Sequence, residues 1–170
     1  MKSIPFQSTR IEEQQSVGEI IGLLNQIGFT DIIQRNRDGD YMIMAKSGPT
    51  VFQWDIKVDP IMEAIRKSLS DRAKRKIHQY PDDPEVQRIL KDTRQQASRI
   101  GWRLMREHIK SLVDSIKLGV VDISEAFAGN LLITNKAGQN VKLSDQIKAS
   151  VASGKLDLSG FGIALLEDKR

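Results

Sequence analysis

The chain has 170 residues, a formal charge of +4 and no cysteine. One domain of ordinary size with a real core is expected, and disulfides, zinc ribbons, iron–sulfur clusters and thiol nucleophiles are excluded. A pI near 9.4 favours polyanions as partners. Residues 1–6 lack an apolar signal-peptide core, and no run approaches the roughly eighteen apolar residues of a membrane span, so the expected setting is the cytoplasm with no membrane partner.

In chain order, the polar stretch from Ser8 to Gln15 reads as an N-terminal arm, residues 1–15. Ser16-Val17-Gly18-Glu19 has capping-box spacing and opens a helix through Ile20, Leu24 and Ile27, with Gly28 placed for a left-handed C-terminus. From Thr30 to Val58 the period changes to two, with turns at Asp38-Gly39 and Ser47-Gly48-Pro49. This predicts a three-stranded meander over 31–36, 41–46 and 50–58, with Phe52, Trp54, Ile56 and Val58 on one face. One sheet face then packs on helices and the other meets solvent or a ligand.

Asp59-Pro60 reads as an N-cap with proline at the first helical position, starting a helix through Ile61, Met62, Ile65 and Leu69 that ends in a basic segment before Tyr80-Pro81. Asp83-Pro84 repeats that device and opens a long amphipathic helix to Leu118. In it Val86, Ile89, Leu90, Ala97, Ile100, Leu104, Ile109, Leu112, Val113 and Ile116 read as one stripe, closed by Gly119. Asp122 to Glu125 gives another capping-box spacing before a short helix through Phe127. A small hairpin follows over 131–141, then a helix from Ser144 to Ala152. Residues 16–154 thus read as one α+β domain: N-terminal helix, three-stranded antiparallel meander, long central helix, and short C-terminal helices with a hairpin. Residues 155–170, with Leu156, Leu158, Phe161, Ile163 and Leu165, read as a C-terminal arm or edge strand.

The charge anomaly of the chain is Arg66, Lys67, Arg72, Lys74, Arg75 and Lys76 against one acid, Asp71. Clustered cations neutralise phosphates and release counterions whatever sequence is bound, while a solvated helix end is the bland alternative. Arg99, Arg103 and Arg106 are spaced by four and three, so they share a helix face. Three guanidiniums in a row suit phosphates or carboxylates, although an ion-pair ladder with Glu107 explains them almost as well. Trp54, Tyr80 and Trp102 are the candidate stacking rings. Gly101, inside the long helix, implies close packing or a kink.

His108 reads as a core-edge histidine and His78 as part of the polar basic surface, with no metal-ligand spacing and no implied cofactor. Nucleotide-hydrolase, dinucleotide and serine-hydrolase motifs are missing from the sequence, so no catalytic residue is assigned and the chain reads as non-enzymatic.

The stretch Ser98-Arg99-Ile100-Gly101-Trp102-Arg103, continuing through Leu112, Gly119 and Glu125-Ala126-Phe127, resembles a family of phage and prophage proteins of unassigned function. Its mark is a small-Trp-Arg core within a long amphipathic helix. The resemblance extends to the start at Ser16 to Gly28 and to Ile56-Lys57-Val58. It departs after Phe127, where Ala128-Gly129-Asn130 replaces the more usual Leu-Pro-aromatic. It implies a viral or mobile-element context, hence host cytoplasm, and no activity.

The first functional expectation is a phage-type nucleic-acid-binding protein, acting through the basic segment and the arginine face and oligomerising with itself. The second is a counter-defence or regulatory protein that sequesters a small anionic or nucleotide ligand, or a host protein, with the arginine face and Trp54 or Trp102 lining a pocket. The third is a purely structural oligomer.

Overall fold

The computed structural model describes residues 4–37, 40–135 and 137–153. Its first helix, α1 (Glu13–Asn25), buries Val17, Ile20 and Leu24 on one side. It begins three residues before the predicted capping box. Ser16 is inside the helix with its hydroxyl buried, and Glu19 turns to other partners. Gly28 takes the left-handed conformation, with φ +87°, that lets the chain leave α1 and enter the sheet.

The strands β1 (Thr30–Arg37), β2 (Asp40–Ser47) and β3 (Thr50–Ile56) form an antiparallel sheet in the order β1-β2-β3. Trp54 faces Ile43 and Phe52 faces Ala45 across the ladder, so these four residues share the buried face. Phe29 packs edge to face on Phe52, Trp54 and Phe127, and Phe127 on Trp54, with ring centres within about 6 Å. The third strand stops at Ile56, earlier than predicted. Val58 instead begins α2 (Val58–Ser68), and its amide donates to the Asp40 carboxylate at 3.1 Å. That long-range cap replaces the predicted local one at Asp59.

The predicted basic-ended helix is two helices. At Leu69 the backbone becomes extended, and Ser70 caps α3 (Asp71–Gln79) by accepting from the Ala73 amide. Next, α4 (Pro84–Lys117) starts as predicted, the Asp83 carboxylate accepting from the amides of Glu85 and Val86. The capping box of α5 (Ile123–Phe127) forms reciprocally between Asp122 and Glu125. A 3-10 turn (Ala128–Asn130), the hairpin of β4 (Leu132–Thr134) and β5 (Asn140–Lys142), and α6 (Leu143–Ala152) complete the described chain. The expected C-terminal arm or strand, 155–170, lies outside the described residues. The architecture is α+β, with the long central helix as its axis.

The single apolar stripe predicted for α4 is in fact two. In the first half Val86, Thr93, Ala97 and Ile100 are buried, with Ala97 and Ile100 packing on Val58, Met62 and Ile65 of α2. In the second half Trp102, Ile109 and Val113 are buried with α1, the sheet and Phe127. Ile100 and Trp102 are two residues apart, roughly 200° around the axis at 3.6 residues per turn. Leu104, which would continue the first stripe, is 38% exposed. Where the stripes cross, Ala97, Ser98, Ile100, Gly101 and Trp102 are all buried. Small residues make the crossing close: a Cβ on Gly101 would lie 2.6 Å from Cγ2 of Ile56.

Candidate nucleic-acid interface

Arg99, Arg103 and Arg106 share a helix face, as their spacing predicts, and that face is turned to α1. Arg106 donates through Nε to Oε2 of Glu19 at 2.6 Å and through Nη1 to Oε1 of Glu107 at 2.8 Å. Arg103 bridges the same two carboxylates, at 3.4 Å and 3.0 Å. Arg99 donates to Glu12 at 2.7 Å. Three guanidiniums thus meet three carboxylates in a network of zero net charge.

Burial works against ionisation of Glu19. Hydrogen bonds from Gln15 and Arg106, together with the charges of Arg106 and Arg103, outweigh it and hold the carboxyl below its ordinary value. The segment before α1 lies over the same surface. Gln96 donates to the carbonyls of Gln7 and Thr9, and the Arg103 guanidinium sits 6.0 Å from the centre of the Phe6 ring.

The two tryptophans named as stacking rings lie in the core, Trp54 1% and Trp102 0% exposed, so in this fold neither has a face to offer a base. Trp102 packs against Tyr41 at 5.4 Å between ring centres. Alternation along β3 and the position beside Gly101 put both indoles inside. Tyr80, at 59% exposed, is open to solvent.

The basic segment is arranged differently from the arginine face. Helix α3 buries none of its residues, and Arg72, Lys74 and Arg75 are exposed. Arg72 makes no ion pair or hydrogen bond among the described residues. The Arg75 Nε donates to the Asp71 carbonyl at 3.4 Å, and Lys74 lies 3.6 Å from the Asp71 carboxylate. Both groups of that Lys74 pair are open to water, where such pairs contribute little.

Lys76 is the tie to the body, paired with Glu85 and, at 3.6 Å, with Asp83. Its hydrogen bond to Glu85 is the chief cause that raises its pKa. At the end of α2, Lys67 pairs with Glu63 one turn back at 3.6 Å, and Arg66 is half-buried. No protein-family model, curated protein or solved structure matches the chain.

Sequence reasoning missed Arg88 and Lys91, which are exposed on the side of α4 away from α2. Arg88 stands one turn beyond Glu85, the residue that holds Lys76, so it borders the base of α3. The signal available was their phase against Val86, Thr93 and Ala97. Among the described residues no group of three His, Asp or Glu side chains is placed to hold a metal ion, and no helix is long and apolar enough to cross a membrane. His78 is exposed. So is His108, expected at the core edge, which lines an apolar cleft of about 270 Å³ with Leu104, Met105 and Ile61. The crossing of the two α4 stripes is what leaves that cleft uncovered.

Proposed function

We propose that the protein binds nucleic acid without catalysis, through phosphate contacts made by α3. The observation that carries this reading is the contrast between two arginine-rich surfaces. The face of Arg99, Arg103 and Arg106 is neutralised from within the fold, whereas α3 projects Arg72, Lys74 and Arg75 from a helix with no buried residue. Cations left in water can replace the counterions condensed on a nucleic acid's phosphates, and release of those ions drives association.

The alternative of a pocket for a small anion loses the residues proposed to line it, because those guanidiniums face carboxylates and both indoles are in the core. The phage and prophage resemblance supplies only the context of the proposal, a viral or mobile-element protein in a host cytoplasm, and neither its activity nor its residues.

The test is binding of fluorescent nucleic acid at low salt by the wild type and by the double charge reversal R72E/R75E. The wild type binds, and the variant loses at least about tenfold in affinity by exchanging two attractions for two repulsions. Its melting temperature stays within about 4 °C of the wild type, because each exposed surface substitution alters stability by less than about 0.5 kcal/mol. A wild type that binds no DNA or RNA at low salt rejects the proposal, and so does a folded variant that binds undiminished.

A further inference from the structure

We infer that the nucleic acid engaged by α3 is double-stranded and is held by its phosphate backbone; this rests on the reading of α3 as a phosphate-binding element. Proteins that hold single strands combine a basic groove with aromatic faces on which unpaired bases stack. Among the described residues most aromatic side chains are committed elsewhere. Phe29, Phe52, Trp54, Trp102 and Phe127 are in the core, Tyr41 packs on Trp102, and Phe6 lies against Arg103. Among the described residues only Tyr80 exposes more than half of its surface, and one ring makes no platform.

What α3 does offer is a convex rod. Nine residues at 1.5 Å each span roughly 13 Å, with Arg72 and Arg75 one turn apart on one side and Lys74 and His78 one turn apart on another. Regularly spaced cations on a convex surface match a duplex, whose phosphates face outward at one charge per roughly 1.7 Å of axis and whose bases are already stacked. At the base of the rod Arg88 adds an exposed cation on α4, one turn beyond the Glu85 that pairs with Lys76. Arg72, Arg75 and Arg88 therefore neutralise about three phosphates. DNA and RNA duplexes share this chemistry.

The experiment titrates the full chain into a labelled 20-base-pair DNA duplex, the RNA duplex of the same sequence, and each separated strand, over a series of salt concentrations. Expected are binding to at least one duplex about tenfold tighter than to either of its strands, and a log–log salt slope near −3 for about three phosphates. R88E should reduce the magnitude of that slope by about one. Strands that bind as tightly as both duplexes overturn the duplex assignment while leaving nucleic-acid binding by α3 intact. Failure of all six probes removes the underlying reading as well. A duplex affinity that R88E leaves unchanged in slope overturns the extension onto α4.

Discussion

A glycine inside a helix costs about 1 kcal/mol relative to alanine, so Gly101 has to be explained by what stands opposite. Its hydrogen faces Cγ2 of the buried Ile56, where a methyl would arrive at 2.6 Å. A neighbour fixed in the core cannot withdraw by the needed ångström, and overpacking of this kind costs about 1–3 kcal/mol. Gly101→Ala therefore lowers stability by about 1–2 kcal/mol even after its gain in helix propensity. In a double-mutant cycle with Ile56→Ala, which removes the obstructing methyl, the two losses come out less than additive. Chemical denaturation of the four proteins reads both results. An additive cycle shows that the contact does not limit the site. That Gly101 marks close packing was legible from the chain, because no other residue in the central turns of the helix is so poor a helix former. That its partner is Ile56 was not, since nothing local specifies which strand crosses there.

The docking of α1 on α4 depends on contacts between residues 84 to 87 positions apart in the chain. For that reason Arg99, Arg103 and Arg106 were legible as a face but not as a neutralised one. Ser16-x-x-Glu19 matched a local cap, while the structure gives Glu19 to Arg103 and Arg106 and starts the helix earlier. The caps at Asp83 and Asp122 were legible because both partners lie within three residues. Ser70 also acts locally, but the apolar residues on either side of it continue a helical period and mask the break. Glu19 carries a pH signature. Its carboxyl titrates lower in the fold than in the unfolded chain, so the stability it contributes is present at neutral pH and is lost as pH falls below the ordinary glutamate value and through the lowered folded one. With its side chain 30% exposed, solvent screening limits that contribution to about 1 kcal/mol or less. Glu19→Gln is therefore less stable than the wild type at pH 7, and the gap narrows as pH is lowered to about 3. Urea midpoints at the two pH values measure it, and a gap that widens at low pH contradicts the assignment.

Across the whole molecule, α4 joins two cores that share no helix face. Its first half closes against α2 and its second against α1, the sheet and Phe127. A single stripe fitted the sequence because Leu104 and Leu112 fill the period between the halves, and hydropathy alone does not record a change of side. Accessibility separates the two accounts. If one stripe faced one core, Ile100, Leu104 and Ile109 would be equivalent; in the crossed arrangement Ile100 and Ile109 are fully buried on opposite sides and Leu104 stands 38% exposed beside the cleft with His108. Ile100→Ala and Ile109→Ala should each cost about 2–5 kcal/mol as buried truncations, against less than about 1 kcal/mol for Leu104→Gln. The first two lie in different clusters, so their costs in the double variant should add to within about 0.5 kcal/mol. Strong coupling between positions 100 and 109, or a Leu104→Gln loss as large as theirs, means one continuous core. Additivity, together with a tolerant Leu104, means that α4 is the axle between two cores, with α3 carried outside both.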